Sequence, residues 1–146
     1  MGLRILLIDD HTLFRSGLQG LLAHRNIEVV ASVGDGREGL RCAEELKPDV
    51  VLLDMRMPDI DGIGVLKKLR ESGFHKPIVM LTTSTEERDL VESLRNGAQG
   101  YLLKDMEPDE LVLALKAEQA EVQTELQQLR QVKRVVGVYN RKKQRR

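Results

Sequence analysis

Tryptophan is absent from this 146-residue chain, and it carries only two Phe, two Tyr and one Cys. With Cys42 alone there is no internal disulfide framework and no thiolate set for a structural zinc site. That usage is expected of a reducing, cytoplasmic setting. No stretch approaches the roughly 18 consecutive apolar residues of a membrane-spanning helix, so no membrane partner is expected. The N-terminus shows no signal-peptide pattern. Met1-Gly2 is no acylation signal, because Leu6 stands where Ser or Thr is required. Aromatics make up 3 % of the chain, so the core must be aliphatic, and a 41 % hydrophobic fraction suffices for one domain.

There is also no net charge, with 23 basic and 23 acidic residues, but the balance is uneven along the chain. Residues 116–146 contain nine Lys/Arg against three Asp/Glu, and the first 115 residues carry the compensating acidic excess. Two parts with different tasks are expected.

The most informative stretch is Pro48 to Gly62. Four consecutive apolar residues, Val50 to Leu53, run straight into Asp54, and a loop punctuated by Pro58 and Gly62 follows. An unbroken apolar run of strand length reads as a strand buried on both faces, the pattern of a parallel sheet. Asp54 then stands at its carboxyl end, where open α/β sheets bind ligands. It is a candidate nucleophile or metal ligand.

The remaining strands read similarly. Arg4 to Ile8 ends in Asp9-Asp10, Ile27 to Val33 is a second strand, Ile78 to Leu81 ends in Thr82-Thr83, and Gly100 to Leu103 ends in Lys104. Helical spacing lies between them. Phe14, Leu18, Leu21 and Leu22 follow a possible Thr12 cap. Asp35 and Glu38 have capping-box spacing before Ala43 and Leu46. Val65, Leu66 and Leu69 follow Gly62. Ser84 and Glu87 form a second capping-box spacing, with Leu90, Val91 and Leu94 facing inward until Asn96-Gly97. Pro108 opens a last helix. Five strands alternating with five helices form a βαβ series, so a parallel sheet with right-handed crossovers is expected.

Asp9, Asp10, Asp54, Thr82 and Lys104 therefore converge on one sheet edge. Three close carboxylates repel one another unless a cation shares their site, and a hard oxygen-lined cluster suits Mg²⁺. Carboxylates, Mg²⁺, an ammonium and a hydroxyl together neutralise a phosphoryl group in transfer, and an aspartate can itself accept it as an acyl phosphate. Taken singly, each residue reads as a cap, a turn former or a solvated side chain. Four strand ends delivering such groups together outweigh that reading.

The combination Ile8-Asp9-Asp10-His11, Leu53-Asp54-Met55-Arg56-Met57-Pro58, Gly62, Leu81-Thr82 and Gly100-Tyr101-Leu102-Leu103-Lys104 resembles the receiver domain of two-component response regulators. The wording Asp9 to Leu18 and Gly100 to Asp105 is most similar to the NarL/FixJ-type subfamily. The resemblance covers residues 2 to about 116. It implies a flavodoxin-like, doubly wound (βα)5 fold with a five-stranded parallel sheet in the order 2-1-3-4-5.

It further implies that Asp54 takes a phosphoryl group from a histidine kinase. Asp10 and Asp54, with the backbone carbonyl of Arg56, would bind Mg²⁺ directly, and Asp9 would act mainly through water. Lys104 would pair with Asp54 and a phosphoryl oxygen. Thr82 would move toward the phosphoryl group, and Tyr101 would swing inward behind it, biasing the surface of helix four, strand five and helix five. Many receivers carry proline after the lysine; Asp105 here leaves that peptide's geometry open.

Beyond residue 116 the pattern changes. Val112, Leu115, Gln119, Val122, Leu126, Leu129, Lys133 and Val136 keep 3-4-3-4 spacing, a heptad seam continuing the last helix. The expected organisation is a receiver at 1–116, a coiled-coil extension at 117–137 that forms a homodimer, and a basic tail at 138–146. A helix folded back on the receiver is the simpler alternative. The tail, with Arg141, Lys142, Lys143, Arg145 and Arg146, is a candidate nucleic-acid contact. A phosphatase with an aspartyl-phosphate intermediate is the enzyme-class alternative. The haloacid-dehalogenase pattern wants an aspartate two residues after a strand-one nucleophile, and His11 stands there. The chain is thus expected to be a phosphoacceptor signalling domain rather than an enzyme.

Overall fold

A computed structural model describes residues 2–120. The chain alternates strand and helix throughout: β1 (Leu3–Ile8), α1 (Thr12–His24), β2 (Ile27–Val33), α2 (Gly36–Leu46), β3 (Val50–Asp54), α3 (Gly62–Glu71), β4 (Ile78–Thr82), α4 (Glu87–Arg95), β5 (Gly100–Leu103) and α5 (Pro108–Ala120). The strands form one parallel sheet in the order β2-β1-β3-β4-β5. The parallel sheet is the one expected from the apolar runs, and its doubly wound order is the one the resemblance implies. Among the described residues, no helix is long and apolar enough to cross a membrane.

β3 lies at the centre of the sheet, and its residues alternate between two cores. Val51 and Leu53 join the cluster built with Val65, Leu66 and Leu69 of α3 and Leu90 of α4. Val50 and Leu52 join the one built with Leu18 and Leu22 of α1 and Leu111, Val112 and Leu115 of α5. Both faces are covered by helices, so polar residues have no place before the strand's carboxyl end and the sequence shows an unbroken apolar run. All five residues of β3 are buried, the terminal Asp54 included.

Several helix ends follow the expected chemistry. Asp35 accepts from the Glu38 amide at 2.8 Å, and Asp61 caps α3 by accepting from the Gly64 amide at 2.9 Å. Gly97, at φ +101°, follows the Asn96 cap of α4, a backbone conformation that glycine adopts without strain. The Lys104–Asp105 peptide is trans, as are all described peptide bonds.

Three local expectations are corrected. Thr12 does not cap α1; it is the first helical residue, and His11 holds the cap position without a side-chain bond. Ser84 and Glu87 do not make a capping box. Glu86 occupies the cap position of α4, and the Ser84 hydroxyl is engaged by Asp89, five residues on. Val91 is exposed rather than inward, and Ser93 takes the buried place instead, its hydroxyl donating to the Asp89 carbonyl at 2.8 Å. The apolar spacing of α4 is short enough that a rotation of one residue satisfies it nearly as well.

α5 reaches at least Ala120. The heptad positions from Val122 onward and the basic tail at 138–146 lie outside the described residues.

Candidate functional site

The carboxyl ends of β1, β3, β4 and β5 meet at one edge of the sheet, because neighbouring parallel strands in this register finish together: Ile8 lies beside Leu53, Asp54 beside Leu81, and Thr82 beside Leu103. The residue that follows each apolar run is therefore delivered to a common place. Asp9, Asp54 and Thr82 are buried, while Asp10 is half-buried.

Lys104 ties this edge together. Its backbone N–H donates to the Thr82 carbonyl at 2.7 Å, continuing the β4–β5 ladder one residue beyond β5. Its side chain turns into the site, with Nζ 2.8 Å from Asp9 Oδ2 and 3.4 Å from Asp54 Oδ1. Nζ also lies 4.8 Å from the centroid of the Phe14 ring, a cation–π contact from the α1 side. His11 Nδ1 stands 2.9 Å from Nζ and can accept from the ammonium in the tautomer that carries its proton on Nε2. One ammonium thus faces two buried carboxylates and an imidazole.

Asp9 is held on every side. Its amide donates to the Val33 carbonyl, its carbonyl accepts from Arg15 Nη1 at 3.0 Å, and its Oδ1 accepts from the His11 amide at 2.9 Å. That last bond closes the turn leading from β1 into α1.

One ammonium does not neutralise this cluster. Burial, followed by the neighbouring Asp9 charge, pushes the Asp54 carboxyl up to about 6, with Lys104 opposing and Asp10 adding to the rise. Asp10 Oδ1 and Asp54 Oδ2 are shielded from solvent and accept no hydrogen bond among the described residues. Ligand atoms of Asp9, Asp10, His11 and Asp54 all lie within 4.8 Å of one another. Unsatisfied anionic oxygens converging from two strands suit a hard divalent cation. The residues present therefore fit a metal ion, and His11 is a member of the group that the ligand pattern alone did not single out.

The loop after Asp54 is shaped around it. The Gly62 amide donates to the Met55 carbonyl at 2.9 Å, and a Cβ on Gly62 would run into the Asp54 carbonyl oxygen and the Met55 backbone. Only glycine allows α3 to start this close to the strand end. From the same loop, Asp59 accepts from the Gly36 and Arg37 amides at 3.2 and 3.3 Å, tying it to the start of α2.

On the far side, Thr82 Oγ1 accepts from the Ser84 amide at 3.0 Å, and the hydroxyl of the fully buried Tyr101 donates to the Ser84 carbonyl at 3.2 Å. Thr82 and Tyr101 are thus joined through one residue, and Tyr101 already occupies the inward position. The Arg56 side chain, exposed over most of its surface, turns toward α4, where Nη2 lies 3.1 Å from Asp89 Oδ2. Asp89 and Ser84 were not singled out as site residues; a buried acid in the first turn of α4 was the available signal.

Known proteins are similar to this chain in sequence and in fold. The profile of the response regulator receiver domain matches residues 5–116. The nitrate/nitrite response regulator protein NarL of Escherichia coli K12 is 46 % identical over 112 residues, which cover 76 % of this chain and 52 % of that protein. The transcriptional regulatory protein YhcZ of Bacillus subtilis is 41 % identical over 111 residues, with 75 % and 52 % covered. The signal receiver domain of a NarL response regulator from Mycobacterium tuberculosis superposes with a TM-score of 0.77 at 33 % identity, covering 82 % of this chain and 98 % of that one. The chain spans about half the length of the curated relatives it matches.

Proposed function

This chain belongs to the response regulator receiver domain family, a signalling domain of two-component systems with NarL-type relatives, and from that premise we propose that Asp54 is its phosphoacceptor. The observation that carries the reading is the shared ammonium. Lys104 Nζ sits between Asp9 and Asp54 at 2.8 and 3.4 Å, and among the described residues no group donates to the second Asp54 oxygen. A buried carboxylate with one oxygen held by a cation and the other facing the acidic cluster is poised to attack phosphorus.

In this reading the donor is the phosphohistidine of a histidine kinase. Asp54 oxygen forms the new P–O bond, the P–N bond breaks, and its electron pair stays on the imidazole nitrogen. Asp9, Asp10, Asp54 and the Arg56 carbonyl would hold Mg²⁺, which when bound relieves carboxylate repulsion and offsets phosphoryl charge. Lys104 supplies the second positive charge, and the Thr82 hydroxyl a donor. Burial keeps water from competing with these contacts.

Switching follows from the Thr82–Ser84–Tyr101 linkage. When Thr82 turns its hydroxyl toward a phosphoryl oxygen, Oγ1 releases the Ser84 amide, and the β4–α4 loop with the Tyr101 contact must rearrange. The output surface is α4, β5 and α5. Continuing α5 through 117–137 as a dimerising coiled coil would carry that change outward, with the tail at 138–146 available to a partner.

Acetyl phosphate with Mg²⁺ tests the assignment. Wild type should acquire one phosphoryl group, slowly lost on standing, and Asp54→Asn none; equal labelling of the variant removes Asp54 from its role.

A further inference from the structure

Outside the phosphoacceptor cluster, the buried charge among the described residues is Asp89, in the first turn of α4. One of its oxygens, Oδ2, accepts from Arg56 Nη2 at 3.1 Å and from the Ser84 hydroxyl at 2.6 Å. Its carbonyl accepts from the Ser93 hydroxyl, which also lies 3.5 Å from Met55 Sδ. Ser84 in turn donates its amide to Thr82 and accepts from Tyr101 and from the Glu86 amide. A single carboxylate oxygen therefore joins the residue two positions after Asp54, the residue two positions after Thr82, and α4.

The two ends of the Arg56–Asp89 pair differ in environment. Asp89 is buried and fixed, at a helix N-terminus that favours negative charge. Arg56 is 72 % exposed along its side chain, so little besides Asp89 decides where its guanidinium rests. A phosphoryl dianion on Asp54 would be a second anion within reach of the same flexible cation, and a stronger one.

We propose, building on the assignment of Asp54 as phosphoacceptor, that Asp89 is a positioning residue that holds Arg56 and Ser84 on α4 in the resting domain. Phosphorylation then acts against this hold by drawing the guanidinium toward Asp54. Asp89 thereby limits how strongly Arg56 assists an incoming anionic donor, and it sets the resting position of the β4–α4 loop. This couples the identity of the side chain at 56 to α4 by charge, in addition to the route through Thr82.

The test uses the full chain, acetyl phosphate as donor and Mg²⁺. Asp89→Asn keeps the size of the side chain and an acceptor for Ser84 while removing the charge. It should phosphorylate roughly three- to tenfold faster than wild type, with the gain larger at low ionic strength. The gain should vanish in Arg56→Met/Asp89→Asn, which a general loosening of α4 would not produce. An unchanged or slower rate in a folded Asp89→Asn protein, or a gain that survives loss of Arg56, overturns the proposal.

Wild type provides a second readout that does not depend on how the variant folds. Saturation with beryllofluoride and Mg²⁺ should shift the Arg56 Nε–H signal in NMR spectra. If signals of the Asp54 loop move and that of Arg56 does not, the hold is refuted while the phosphoacceptor stands. If wild type is neither labelled nor shifted, the phosphoacceptor assignment fails first and the proposal falls with it.

Discussion

Replacing Asp54 by Asn should make the metal-free protein more stable, although it removes the residue on which the chemistry depends. Asp54 is almost fully buried beside Asp9, and its carboxyl is raised from 3.8 to about 6. A folded-state value above the unfolded one means that the native state binds the proton more tightly. Its contribution to stability is full below about pH 4 and is lost as pH rises through about 6. Near neutral pH the ionised carboxylate costs the folded domain the equivalent of roughly two pH units, or about 3 kcal/mol as a ceiling. Asn has the same shape and no charge, and Lys104 keeps Asp9 at 2.8 Å. We expect Asp54→Asn to be about 2–3 kcal/mol more stable at pH 7.5, which for a domain of this size is a melting point higher by roughly 10 °C. Urea and thermal unfolding in EDTA from pH 4 to 8 measure it. The gap should open between pH 4 and 6 and then stay level. A variant no more stable than wild type at pH 7.5, or a gap independent of pH, would refute the electrostatic account of the site.

Other perturbations probe different contacts. Adding Mg²⁺ should raise the melting point of wild type but not of Asp54→Asn, and the effect should weaken as pH falls through about 6 because the proton and the cation compete for Asp54. Lys104→Met leaves two buried carboxylates without their shared ammonium, so it should cost about 3 kcal/mol in urea unfolding and slow labelling by acetyl phosphate by roughly two orders of magnitude. Arg70 donates to the carbonyls of Gly97, Phe74 and Lys76 at 2.7 to 3.1 Å, joining the loops before β4 and β5; Arg70→Met should cost about 2–4 kcal/mol by denaturant midpoint without changing Mg²⁺ affinity. Sedimentation of the full chain against residues 1–116 should show a dimer only for the former, and a monomeric full chain removes the coiled-coil extension.

The strands and the residues at their ends were legible because the same physics writes both. The central strands, covered by helices on each face, stay apolar up to their carboxyl ends, so the first polar group after Leu53, Leu81 or Leu103 marks the functional edge. Helix spacing was legible where the buried stripe was long, as in Val65, Leu66 and Leu69 of α3. It failed in α4, where nine residues with Leu90 and Leu94 left room for Ser93, not Val91, to turn inward. The capping expectations at Thr12 and Ser84 failed for a different reason. Each is a local rule: α1 begins at Thr12 itself, so His11 holds the cap position, while the Ser84 hydroxyl is taken by the Asp89 carboxylate. Arg70, binding carbonyls up to 27 residues away, has no signature in the sequence at all.

The phosphoryl group is expected to reside on Asp54. Borohydride reduces an aspartyl phosphate to homoserine, so wild type treated with acetyl phosphate and Mg²⁺, reduced and digested, can be mapped by mass spectrometry. Homoserine is expected at position 54 and nowhere else. Homoserine at position 9 or 10, or a stable phosphate on His11 or Thr82 with position 54 unmodified, would contradict it.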